Sequence, residues 1–193
     1  MAELLEVIDE NGNPTGVAKT KAEILTAGDW RKVIHIWLVD DDSNLLIQRR
    51  AKKGGIFDDM WDVTVGGGVS YGEQSLHAAK RELQEELGLE LPEEDFQLLG
   101  TWKMPPKTVD ENREMKDFSD TYLVHVPKID PAKLKLAPRE VQKVDVISLK
   151  DLAMKIQDNE IYKKWVQHGR EYYLGVSEKI FSNTANNHTK IGI

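Results

Sequence analysis

The stretch that most restricts the fold is GGGVSYGEQSLHAAKRELQEELGLE, residues 66–90, where a run of glycines leads into a helix-like segment with strand-like segments before and after it. From Gln74 to Leu87 the apolar residues Leu76, Ala79, Leu83 and Leu87 recur at spacings of three and four, the stripe of a helix that buries one face. Gly88 is placed to stop that helix in the left-handed conformation glycine tolerates. Upstream, LLEVID (4–9) and RKVIHIWLV (31–39) read as strands, with turn residues ENGNPTG between them, and LLIQRR (45–50) follows the turn DDDSN. A short KAEILTAG segment has helical character, and AKKGGIFDDMW (51–61) reads as a loop. Downstream, FQLLGTWKM (96–104) and FSDTYLVHV (118–126) read as strands joined by a long polar loop, PPKTVDENREMKD. A strand at 144–148, a helix starting near Ser148 or Asp151, a last helix over 159–181 and the polar tail NTANNHTKIGI complete the chain. Strands on both sides of one long helix predict an α+β, mixed α/β class, not a regular βαβ series.

Composition narrows the function. Hydrophobic residues at 40% and charged residues at 31% suit one soluble core, and the N-terminus lacks the basic start and apolar run of a secretory signal. A cytoplasmic location is expected, with no membrane partner. Zero cysteines exclude a thiolate nucleophile and a thiolate metal site. A net charge of -7 argues against binding a nucleic acid polymer, while small phosphorylated ligands need only a local cationic pocket.

On a helix, Glu82, Glu85 and Glu86 fall within roughly 100° of arc. Like charges at these spacings destabilise a helix by about 0.2 to 0.5 kcal/mol per pair unless a cation sits among them. On spacing alone a solvated face explains the cluster as well as a metal site does. The glycines favour the metal, because a backbone without side chains lets carbonyls approach a ligand. Hard oxygen donors suit Mg²⁺ or Mn²⁺.

Gly67, Glu73, Arg81, Glu82, Leu83, Glu85, Glu86, Gly88 and Leu89 stand at the fixed spacings of the Nudix hydrolase signature, which this segment resembles at every specified position. The resemblance extends over about residues 30–155 and includes LLIQRR, Trp61 and Glu140. It implies an α/β/α sandwich with a mixed sheet, here with an N-terminal hairpin and an extra C-terminal helix, so that an extension (1–29), a core domain (30–157) and a C-terminal part (158–193) are expected. It also implies metal-dependent hydrolysis of a nucleoside diphosphate linked to another moiety, the alternative being a ligand sensor or binding module on the same fold with little turnover. Carried over by position, Glu82, Glu85 and Glu86 become the metal ligands with a carbonyl of Gly66 or Gly67, and Glu73 and Arg81 a structural ion pair. Glu82, Glu85 or Glu140 is the expected base, with Glu140 favoured as base or late ligand. Arg49, Arg50, Lys52 and Lys53 are candidate phosphate contacts. A homodimer is compatible with the additional terminal elements.

The segments EVIDENGNPTG, GDWRKVIHIWL and QRRAKKGGIFDDMWDVTVGGG are similar to the isopentenyl-diphosphate isomerase branch of the same superfamily. The isomerases' cysteine aligns with Gly66, and two of their metal-binding histidines align with Arg31 and Gly68. The chain therefore resembles an isomerase scaffold with hydrolase chemistry. His35, within an apolar strand, is expected to be a core or interface residue and His77 to be solvated, and Trp30, Trp37, Trp61 and Trp102 are expected mostly in the core.

Overall fold

The structure, a computed structural model, describes residues 2–189, with side chains described through Thr184. The strands are β1 (Leu4–Ile8), β2 (Pro14–Thr20), β3 (Trp30–Asp40), β4 (Asn44–Arg50), β5 (Trp61–Asp62), β6 (Val65–Gly68), β7 (Phe96–Lys103), β8 (Lys107–Asp110), β9 (Arg113–Val126) and β10 (Val141–Ser148). The helices are α1 (Lys21–Ala27), α2 (Ser75–Leu87), α3 (Leu149–Gln157), α4 (Asn159–Tyr162) and α5 (Arg170–Thr189). β3 is the organising strand. It runs parallel to β9 from Trp30↔Lys116 to Asp40↔Val126 and antiparallel to β1, β6 and β4, so the sheet is mixed.

The alternation of side chains along β3 explains the layers. Ile34, Ile36 and Leu38 face a cluster that includes Ala78, Ala79, Leu83 and Leu87 of α2. Trp37 and Val39 face the opposite cluster, with Leu152 and Ile156 of α3 and Tyr172, Tyr173, Val176 and Ile180 of α5. A mixed sheet between α2 and α3–α5 is an α/β/α sandwich of the α+β class. Among the described residues no helix is long and apolar enough to cross a membrane.

Local details depart from the sequence reading at three places. The glycine run is a strand, β6, with Gly66–Gly68 paired to His35, Ile34 and Val33. The polar loop after Met104 contains the β8–β9 hairpin, in which Lys107 faces Met115 and Asp110 faces Arg113 across a turn. The single C-terminal helix is broken after Tyr162 and resumes at Arg170, one residue past Gly169 with φ 94°. That helix continues through Thr189, into the segment read as a tail, whose last four residues lie outside the described ones.

Candidate active site

Helix α2 brings the glutamates to the glycine strand. Its C-terminus is closed by Gly88 at φ 69°, whose N–H donates to the Gln84 carbonyl. Glu82 lies directly over β6, and a Cβ on Gly67 would overlap the Glu82 carboxylate. A glycine is required there by close approach, since nothing larger leaves that carboxylate its place. Glu86 falls on the inner side of the helix, 5% exposed beside Leu83 and Leu87, where Gln48 Nε2 donates to its Oε2 at 2.9 Å. The three carboxylates therefore differ in setting: Glu86 is buried, Glu82 is half-buried and Glu85 is open to solvent.

Burial, aided by the neighbouring Glu82 charge, pushes Glu86 up to about 8. Burial also raises Glu82, against the pull of Arg81. Both shifts mark negative charge that lacks full compensation.

Arg81 does more than hold one partner. Its guanidinium donates to both Glu73 oxygens, at 3.1 and 3.0 Å, and to the Gly68 carbonyl at 3.1 Å. Glu73 in turn accepts from the Ser70 N–H at 3.0 Å, which fixes the turn between β6 and α2. The same guanidinium reaches Glu82 at 2.8 Å and Glu85 at 3.5 Å.

A cleft of about 570 Å³ is lined by Glu82, Glu85, Glu86 and Glu140 together with Gly66, Gly67, Lys21, Arg50 and Lys53. Glu140 stands at its rim, ion-paired to Lys53. Of the proposed phosphate contacts, Arg50 and Lys53 line the cleft. Arg49 and Lys52 instead pair with Asp59, at 2.7 and 3.5 Å, and do not line it. Lys21, at the start of α1, was not singled out from the sequence, and only the folded sheet brings it to this wall. The donor set fits a hard divalent cation by its chemistry: carboxylates whose negative charge is not fully compensated, beside a side-chain-free strand. As placed, no three acidic or histidine side chains among the described residues converge on one point, and Arg81 holds two of the candidate ligands.

Behind the cleft is a second cluster. His35 is buried, its Nδ1 2.8 Å from the Tyr172 hydroxyl, and that hydroxyl accepts from Trp37 Nε1 at 3.1 Å. His168 packs edge-on against His35 with ring centroids 4.4 Å apart, and its Nε2 lies 2.8 Å from Asp62. Burial alone would push Asp62 up, but His168 and Arg50, the latter 3.1 Å away, hold its carboxyl well below the usual range.

The family model for the NUDIX domain matches residues 29–169 of this chain. The chain belongs to this family. Nudix hydrolase 3 of Arabidopsis thaliana is 34% identical over 125 residues, 64% of this chain and 16% of that protein. An isopentenyl-diphosphate Delta-isomerase of Pectobacterium atrosepticum is 35% identical over 83 residues, 43% of this chain and 46% of that one. The chain thus spans from about a sixth to about half of the length of these curated relatives. The crystal structure of DR0079 from Deinococcus radiodurans shares the fold, with a TM-score of 0.62 at 20% identity over 91% of this chain and 98% of that one. The isomerase likeness and the Nudix fold expected from the sequence are both found.

Proposed function

We propose that this chain is a divalent-metal-dependent pyrophosphohydrolase that cleaves the diphosphate linkage of a nucleoside diphosphate derivative by water attack at phosphorus. The observation that carries this reading is one cleft with two kinds of wall, carboxylates from α2 and Glu140, and cations from Lys21, Arg50 and Lys53. Cleaving a phosphoanhydride requires neutralised phosphoryl charge and a deprotonated water. Mg²⁺ or Mn²⁺ would supply the Lewis acidity and lower the pKa of the water, held by Glu82, Glu85, Glu86 and a Gly66 or Gly67 carbonyl.

The chain's own groups do the rest. Lys21, Arg50 and Lys53 bind and orient the phosphates, which places phosphorus for in-line attack. Arg81, anchored by Glu73 and the Gly68 carbonyl, keeps Glu82 and Glu85 turned toward the glycine strand. Proton removal is assigned to Glu140, because it faces the cleft from outside α2 and accepts a proton without a ligand having to let go. A cytoplasmic location and a homodimer belong to the same reading, and sedimentation of the purified protein tests the latter.

The test is product release from nucleoside di- and triphosphates, nucleotide sugars, dinucleoside polyphosphates and isopentenyl diphosphate, with and without Mg²⁺. Glu85→Gln is expected to lower kcat about 10³-fold, within the range for loss of a charged group at a phosphoryl-transfer site. Glu140→Gln is expected to lower kcat about 10²-fold while leaving the Mg²⁺ requirement unchanged. Metal-independent release, or full activity in Glu85→Gln, would refute the assignment.

A further inference from the structure

On the other side of β6 from the glutamates lies a small chamber of about 100 Å³. It shares Gly66–Gly68, Lys21 and Arg50 with the cleft. Its cations are Lys21, Arg31, Arg50 and Lys107, and its carboxylates are Asp62 and Asp117. The carboxylates are already engaged: Arg31 Nε donates to Asp117 at 2.8 Å, and Asp62 is held by Arg50 and His168. Among the described residues, Lys107, 8% exposed, has no hydrogen-bond partner for its Nζ, and His168, 7% exposed, has none for its Nδ1.

Two buried polar nitrogens without partners, in a chamber with more cations than anions, are costly to maintain. Burial lowers the Lys107 pKa, and Arg31 adds to this, while Asp117 and Asp62 oppose it. Water can fill the volume, at ~30 Å³ per molecule, but it brings no charge to answer the surplus. A phosphate-sized oxyanion does, and the space is too small for a nucleobase with its sugar.

We propose that this chamber is an anion subsite, taking a phosphate-sized oxyanion that the substrate carries beyond the diphosphate linkage that is cut, with Lys107 and His168 as its recognition groups. The shared wall puts that anion next to the cleft, so the substrate of the hydrolase reading, on which this assignment of source rests, has a small anionic end. Arg31 and Asp117 frame the chamber as a fixed ion pair, leaving Lys107 as the charge that the ligand answers.

Inorganic phosphate titrated into the metal-free full chain tests the subsite without turnover, with the melting temperature and the imidazole NMR signals of His35 and His168 as readouts. Phosphate is expected to move the His168 signals and raise the melting temperature of wild type and of Glu85→Gln alike, and Lys107→Met is expected to weaken both responses at least tenfold. In phosphate-free buffer Lys107→Met is expected to melt above wild type, because it removes an unpartnered buried ammonium; a lysine kept for structure would melt lower. Should Lys107→Met fail to fold, Lys107→Gln carries the same comparison. Unmoved His168 signals, or an undiminished phosphate response in the variant, overturns the subsite. With turnover established, Lys107→Met is expected to raise KM at least tenfold for substrates with an additional anion, with kcat within twofold. Phosphate binding without that KM effect overturns the assignment to substrate. Because phosphate binding needs neither metal nor hydrolysis, loss of the hydrolase reading and loss of the subsite give different results.

Discussion

The cleft and the chamber are built against the same strand, yet they hold opposite charge imbalances. On the α2 side, Glu82 and Glu86 are raised by burial and carry more negative charge than Arg81 and Gln48 answer. On the other side, Lys107 is buried with no hydrogen-bond partner among the described residues, and His35 is held well below its ordinary pKa, by burial first and His168 second. A fold selected only for stability would bring the two sets into contact and cancel them. Here Gly66–Gly68 runs between them: Arg81 pairs with its glutamates on one side and Arg31 with Asp117 on the other, while Arg50, which lines both, pairs with Asp62. Separated charge of this kind suits a substrate that bridges both, with one end drawn to cations and the scissile linkage near the carboxylates.

The largest effect on that separation should come from the strand itself. Gly67→Ala puts a methyl where the Glu82 carboxylate lies, so Glu82 must turn away or β6 must shift. A misplacement of this size is expected to cost about 10²-fold in kcat and about 1 to 3 kcal/mol in stability from overpacking. Gly66→Ala is the control, because its Cβ would stand 3.3 Å from His35 Cδ2 and lean on the basic side instead. Steady-state kinetics in Mg²⁺ and thermal melts of both variants decide it; equal, mild losses would mean that the Glu82 position is not held by the missing side chain.

The two sides were also unequally legible in the sequence. Everything on α2 is local: Glu73, Arg81, Glu82, Glu85 and Glu86 sit within one helix and its lead-in turn, so spacing alone places them on one element. Even there, the arc that groups Glu86 with Glu82 and Glu85 does not show that Glu86 alone is buried, since a helical arc does not say how far the sheet reaches around the helix. The chamber is non-local throughout. Arg31 meets Asp117 across 86 residues, and His168 meets Asp62 across 106, through pairings that only the β3–β9 register and the break before α5 create. Lys107 was hidden because the charged run KTVDENREMKD resembles a solvated loop, whereas its alternation feeds a hairpin. Gly169 was the one local sign of the helix break, and a glycine inside a polar stretch rarely decides between a kink and a continuous helix.

Metal binding should sharpen the comparison next. Because Glu86 is pushed up to about 8, a proton must leave before it can serve as a ligand, and binding releases that proton. Apparent Mg²⁺ affinity is expected to rise with pH and level off above about 8, falling by up to ~10-fold per unit below it. Calorimetric titrations at several pH values in buffers of different ionisation heat measure both the affinity and the proton count. Glu86→Gln should flatten the pH dependence, and a flat profile in wild type would remove Glu86 from the ligand set.

The smallest effect tests the opposition directly, through stability in metal-free buffer. Glu86 has a folded pKa above its unfolded value, so the native state binds the extra proton, and its contribution is complete below about 4.5 and lost as pH rises toward about 8. His35 has a folded pKa below its unfolded value of about 6.5, so the unfolded state binds the extra proton and stability is lost as pH falls below that point. Between about pH 4.5 and 6.5 the two slopes oppose each other, each at most ~1.4 kcal/mol per pH unit. Replacing one group should therefore expose the other. Denaturant unfolding of Glu86→Gln is expected to show stability rising with pH across this window relative to wild type, and His35→Gln to show it falling. If both variants kept the wild-type slope, neither buried group would be coupled to folding, and the contrast between an acid-starved and a base-starved side of β6 would lose its energetic basis.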